Sequence, residues 1–158
     1  MNHDPLAYRH QHDSVKATAD LLADRWTFLV LREAFFGMRR FGHMQRNLGI
    51  ARTVLSSRLK LLVAEGLLER RPYRDDPVWH EYRLTDKGLD FYPVALALMA
   101  WGDRYLAGPD GPPTILHHRT CGHDITPVWN CSHCGKPLHA RDIEPRPGPG
   151  ADQPERHR

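Results

Sequence analysis

Leu55, Leu59 and Leu62 recur at i, i+4 and i+7 in a segment that opens after Gly49 and closes at Gly66. At 100° per residue these leucines form one apolar stripe, which predicts a helix from about Ala51 to Glu65 lying on a core. The same wheel sends Thr53, Ser57 and Lys60 the opposite way, with Ser56 beside them. Arg58 falls at the rim near Leu62, where it can touch phosphate or pair with a carboxylate inside the domain. GHMQRNLG, just upstream, reads as a third, shorter helix closed by Gly49. Downstream, LLERRPY, a polar RDDP tip and a returning VWHEYRLT read as a hairpin, with Arg70, Arg71, Tyr73 and Arg74 near its tip. The order is therefore helix, turn, helix, hairpin.

Charge concentrates on this same arc. The 36 residues from Arg39 to Arg74 hold nine basic side chains and two acidic ones, +7 in a chain whose total is +3. The rest of the chain therefore sums to −4. A cationic surface on a helical motif is the footprint expected of a protein that sits on a phosphate backbone. Arginine stems covering apolar surface explain most charge runs. Here charge and motif coincide, which favours the nucleic-acid reading.

The flanks complete the architecture. Residues 1–13 read as a flexible arm, and a helix begins near Val15 with Asp13 or Ser14 as its N-cap. WTFLVLREAFFG is apolar on nearly every side and belongs in the middle of a small bundle. Arg39 to Phe41 can form a short strand or turn. Thr85 caps a last helix, roughly Asp86 to Leu106, in which Pro93 predicts a kink or restart. That helix carries two apolar stripes: Leu89, Tyr92, Leu96 and Met99, and Phe91, Ala95, Leu98 and Trp101. One stripe suffices to pack on the parent domain. The other needs a partner, for which a second copy of the chain is economical, with Leu96, Leu98, Met99 and Trp101 at the interface.

From Ser14 to Trp101 the chain resembles the HxlR-type bacterial transcriptional regulators, which are winged helix-turn-helix dimers. The resemblance rests on Trp26, Leu31, Arg32 and Glu33, then Gly37, Arg40 and Phe41. It continues through LSSRLKLLVAEGLLER and on to Pro77, Glu81, Tyr82, Leu84, Thr85, Gly88 and Trp101. Many members place a reactive cysteine just before the first helix. Ser14 stands at that position here, and a hydroxyl cannot supply thiolate sensing chemistry. The resemblance leaves the small-molecule effector, if there is one, unnamed.

All three cysteines lie between Cys121 and Cys134. His118-x-x-Cys121-Gly and Cys131-x-x-Cys134-Gly are spaced like the two knuckles of a zinc ribbon, with His replacing the first Cys. Tetrahedral zinc takes four N or S ligands, so His118, Cys121, Cys131 and Cys134 are the expected set for one structural ion. His117, His123 and His133 stand close enough in sequence to compete for the histidine position. The bland reading is a degenerate ribbon that holds no metal. So small a module buries too little apolar surface to fold unaided, and metal would supply its stability.

The expected fold is therefore mainly α with a small β-hairpin wing, a winged helix-turn-helix, plus a small zinc-ribbon-like C-terminal appendage. The expected organisation is an arm at 1–13, a DNA-binding and dimerisation domain at 14–106 and a linker at 107–116. A ribbon-like module at 117–144 and a disordered tail at 145–158 follow. No stretch approaches the apolar length that spans a bilayer, and the N-terminus lacks a signal-peptide core, so a cytoplasmic, nucleoid-associated protein is expected.

Catalysis is a poor reading. Ser57-x-x-Lys60 matches a penicillin-binding motif whose companions Ser-Asp-Asn and Lys-Thr-Gly are missing, and the same residues already form the outer face of a helix. The expected function is sequence-specific reading of double-stranded DNA by a homodimer, in the sense of a repressor. Arg52, Thr53, Ser56 and Ser57 would face base edges. Arg40, Lys60, Arg71, Tyr73 and Arg74 would hold the backbone or minor groove. The alternative is a winged-helix and ribbon adaptor that binds protein without reading DNA.

Overall fold

The computed structural model describes residues 13–22, 24–75, 78–146 and 148–149. All of the expected arm at 1–13 except Asp13, and much of the expected tail at 145–158, lie outside the described residues, as does the hairpin tip at residues 76–77. The chain divides into two compact units. One is Asp24–Pro127, and the other combines the residues before it with those from Val128 onward.

The Asp24–Pro127 unit holds the winged helix. Helix α2, Arg25–Phe35, starts at Asp24, whose carboxylate accepts the backbone N–H groups of Trp26 and Thr27. It buries Thr27, Val30, Leu31, Glu33 and Ala34, so it lies centrally as its apolar surface predicts. Gly37 follows at φ +80°, a backbone region that favours glycine and turns the chain out of the helix. Helix α3, Phe41–Leu48, ends at the left-handed Gly49. Helix α4, Arg52–Ala64, buries Leu55, Leu59 and Leu62 completely. These leucines join Val30, Leu31, Met44, Ile50, Leu67 and Leu68 in one core.

Strand β1, Leu68–Asp75, pairs antiparallel with β2, Val78–Leu84. The register runs from Leu68 opposite Leu84 to Asp75 opposite Val78, with an irregularity between Pro72 and Arg74. Arg40 forms an isolated bridge to Glu81, and Tyr82 donates its N–H to the Arg39 carbonyl at 2.7 Å. The segment before α3 thus acts as a short third strand on the wing. Thr85 then caps α5, Asp86–Asp90, by accepting the Gly88 N–H. A separate helix α6, Tyr92–Tyr105, starts with Pro93 in its first turn, so the proline restarts the helix. A second antiparallel pair, β3 (Leu116–His118) with β4 (His123–Ile125), completes the unit.

The other unit contains helix α1, Ser14–Leu21, capped by Asp13, which accepts the N–H groups of Val15 and Lys16. It also contains a bridge between Asn130 and Pro137, a Leu138 N–H to Trp129 carbonyl bond of 2.8 Å, and a single 3-10 turn at Ala140–Asp142. The boundary after Pro127 parts the two knuckles, which the sequence reading places in a single segment.

Candidate nucleic-acid interface

The leucine stripe of α4 determines what the opposite face can present. With Leu55, Leu59 and Leu62 sealed in the core, Arg52, Thr53, Ser57 and Lys60 are exposed and Ser56 is half-buried. This face opens at the helix N-terminus, where Ala51 supplies no capping oxygen. Helix α3 likewise lacks a side-chain cap at Arg40, whereas α1, α2 and α5 are capped by Asp13, Asp24 and Thr85. The two helices of the motif therefore start with uncapped N–H groups and a positive dipole end, both suited to an anion.

Two arginines are steered by aromatic rings. The Arg52 guanidinium lies 5.3 Å from the centre of the Phe41 ring, and that of Arg40 lies 4.6 Å from the Tyr73 ring. Stacking of this kind orients a guanidinium without neutralising it. Arg40 and Tyr73, both expected site residues far apart in sequence, are thus brought together. Arg71 is exposed on β1 and pairs with Glu69 at 2.7 Å, an exposed pair that costs little to open. Arg74 sits on β1 opposite Trp79, and its side chain is outside the described residues.

Arg58 takes the second of its two expected roles. Its Nε lies 3.1 Å from an Asp24 carboxylate oxygen, so it joins α4 to the cap of α2 instead of facing DNA. Burial pushes the Asp24 carboxyl up. The Thr27 hydroxyl, the Thr27 and Trp26 N–H groups and Arg58 outweigh that and hold it below the ordinary carboxylate value. Behind α3, the buried Glu33 accepts from Asn47 Nδ2 at 2.8 Å and from Arg32 at 2.9 Å. That contact fixes α3 against α2, and neither motif nor spacing signals it. Trp79 is the other residue the sequence reading passes over: it is 51% exposed on the wing and meets the Tyr73 ring edge-on at 6.3 Å.

The four expected metal ligands lie in two turns of the same form. Gly122 has φ +71° and donates to the His118 carbonyl at 2.8 Å; His118 Nδ1 is 3.2 Å from Cys121 Sγ. Gly135 has φ +72° and donates to the Cys131 carbonyl at 2.8 Å. Backbone N–H groups of Cys134 and His133, with the Cys134 thiol, hold the Cys131 thiol below its usual value. His117, one of the rival histidines, is paired with Asp124 at 2.9 Å. Among the described residues no three or more His, Cys, Asp or Glu side chains are gathered as a metal site.

Comparison with known proteins agrees with this geometry. The pattern of the HxlR-like helix-turn-helix family matches residues 21–109. An uncharacterised HTH-type transcriptional regulator of Mycobacterium tuberculosis (strain ATCC 25618 / H37Rv) is 52% identical over 145 residues, 92% of each chain. A match of that length in a chain of 158 necessarily includes residues 117–144, beyond the end of the family pattern. An uncharacterised HTH-type regulator of Synechocystis sp. is 35% identical over 66% of this chain and 78% of its own. Among solved structures, PA1607, proposed to be a transcription factor, superposes with a TM-score of 0.75 at 33% identity. It covers 87% of this chain and 96% of its own. The reduced form of the transcriptional regulator YodB from B. subtilis gives 0.53 at 28% identity, over 60% and 93%.

Proposed function

We propose that this chain, which belongs to the HxlR-like helix-turn-helix family and is a DNA-binding transcriptional regulator and not an enzyme, reads its operator as a homodimer through the first half of α4. The observation that carries the reading is the α4 face itself. Arg52, Thr53, Ser56 and Ser57 stand clear of a sealed leucine stripe, and Arg40 and Arg52 are held on aromatic rings beside them. Hydroxyls and a guanidinium at the start of a helix suit hydrogen bonding to base edges in the major groove. Lys60, Arg71 and Arg74 would grip phosphates, and Tyr73 would keep Arg40 in place.

The homodimer is supported by α6, which buries no residue and leaves Leu98 at 52% and Trp101 at 57% exposure. Leu96 and Met99 are half-buried on the same helix. Action as a repressor, by occupying a promoter, is part of the proposal. No helix among the described residues is long and apolar enough to cross a membrane. A cytoplasmic, nucleoid-associated location is part of the proposal.

Structural zinc is likewise proposed, with His118, Cys121, Cys131 and Cys134 as ligands. The matching glycine turns support it, since each offers a two-ligand chelate of the kind zinc takes.

The test is selection of duplexes from a randomised pool, followed by titration at several salt concentrations. Ser57→Ala is expected to change the preferred sequence. Arg71→Ala is expected to weaken all sequences alike and to flatten the log-affinity against log-salt slope by about 0.9. Partner binding that ignores salt, with no duplex selected, would favour the adaptor.

A further inference from the structure

The basic surface leaves one large residue on the wing without an evident purpose. Trp79 is 51% exposed and its neighbour Val78 59%, on a hairpin whose other outward positions are mostly charged. Exposing so much ring area to water costs hydrophobic free energy that a polar residue at the same position would avoid. The ring is nevertheless well placed. Tyr73 meets it edge-on, and the Tyr73 face carries the Arg40 guanidinium. Arg40 is in turn anchored by its backbone bridge to Glu81, opposite Arg71 on the far strand. A ladder Arg40–Tyr73–Trp79 thus runs from the foot of α3 toward the outer end of the wing, with the Arg40 guanidinium at its inner end.

An exposed apolar ring on a wing that also exposes Arg70 and Arg71 matches one partner chemistry well. Deoxyribose offers an apolar face between two phosphates, so the ring would meet sugar while the arginines meet charge. A second copy meeting this surface wing to wing is a poorer occupant, because its own +7 arc would face the same cations. We propose that Trp79 is a DNA-contacting residue that packs its ring on the deoxyribose wall of the minor groove beside the α4 site. Apolar side chains do act in the minor groove, where they work by contact area instead of charge. The inference rests on the DNA-reading role of α4.

The test uses the full chain, a duplex chosen by the wild type from a randomised pool, and two variants. Trp79→Ala is expected to lose about tenfold in affinity, the order expected for the apolar ring area that the contact would bury. Its salt slope should stay at the wild-type value, because no charge is removed. Trp79→Phe should keep most of the affinity but lose most of the DNA-induced change in tryptophan emission that the wild type shows. Affinity unchanged in Trp79→Ala, with the emission change intact in Trp79→Phe, overturns the proposal and leaves the α4 reading standing. A Trp79→Ala loss accompanied by a flatter slope also overturns it, since the ring would then act only by positioning Arg40 or Arg71. A wild-type protein that selects no duplex at low salt removes both readings together.

Discussion

Arg58 of α4 lies 3.1 Å from Asp24, the residue whose carboxylate caps α2. One side chain therefore does two jobs: it satisfies the first N–H groups of the central helix and holds the recognition helix against it. Replacing Asp24 by Ala should cost about 1–2 kcal/mol from the lost cap alone. Asp24→Asn separates the two jobs, because Asn still caps but carries no charge for Arg58. Hydrogen bonds and Arg58 hold the Asp24 carboxyl below its ordinary value of 3.8. A lowered carboxyl contributes stability that is fully present above the ordinary value and is lost as pH falls through the folded one. The urea midpoint of the wild type should therefore exceed that of Asp24→Asn at pH 7. The gap should close as pH drops below about 4. A gap that does not change with pH would mean that the charge of Asp24 contributes nothing.

Among the described glycines, Gly88 alone has neighbours within 4 Å of where a Cβ would stand. A Cβ placed there would stand 2.1 Å from the Leu67 carbonyl oxygen and 3.1 Å from Leu84 Cδ2. The backbone cannot easily retreat, because Thr85 bonds the Gly66 carbonyl through its hydroxyl and the Leu67 carbonyl through its N–H, and Lys87 bonds that of Glu65. Gly88→Ala is expected to destabilise by about 1–3 kcal/mol, the range for overpacking a tight contact. Thermal unfolding followed by circular dichroism measures it, and an unchanged midpoint would show that α5 can shift freely.

What was legible in the sequence follows periodicity and punctuation. The stripe of Leu55, Leu59 and Leu62, the stops at Gly49 and Gly66 and the caps at Asp13 and Thr85 all appear where spacing and residue type put them. Wheel geometry gives a direction and not a partner, so it allows Arg58 either phosphate or carboxylate, and the fold supplies Asp24. Trp79 is not legible in this way, because its neighbour Tyr73 lies at the register irregularity of β1 and simple alternation does not foresee that pairing. Gly88 was read as part of a family pattern. Its reason, a carbonyl from β1's approach pressing on the helix, is a contact between segments some twenty residues apart.

The exposed side of α6 should disappear on dimerisation. Leu98→Glu would place a charge in that interface, and burying it without a partner is expensive enough to weaken association by more than about a hundredfold. Sedimentation at micromolar concentration is expected to show a dimer for the wild type and a monomer for the variant. Two recognition helices in a dimer stand about 34 Å apart, so the selected duplex should be an inverted repeat with one-turn spacing. A monomeric wild type, or a single half-site selected without a repeat, would overturn the homodimer.

Zinc is expected to hold the C-terminal turns and to take no part in reading DNA. The ligands proposed are two pairs separated by two residues, each followed by a glycine in the left-handed region, and none of them lies on α4 or on the wing. Thiolates must lose their protons to bind metal, so a strong chelator or acid should release the ion. Purified full-length protein should contain about one zinc per chain by elemental analysis, the stoichiometry of a four-ligand structural site. Cys131→Ser should lower that content sharply while α4 keeps its operator affinity, because the winged unit has its own buried core. Chelation should then perturb NMR signals from residues 116–139 and leave those of α2 to α4 in place. Protein that carries no metal, with the same signals before and after chelator, would show that ordinary packing holds the segment and that its cysteines are not zinc ligands.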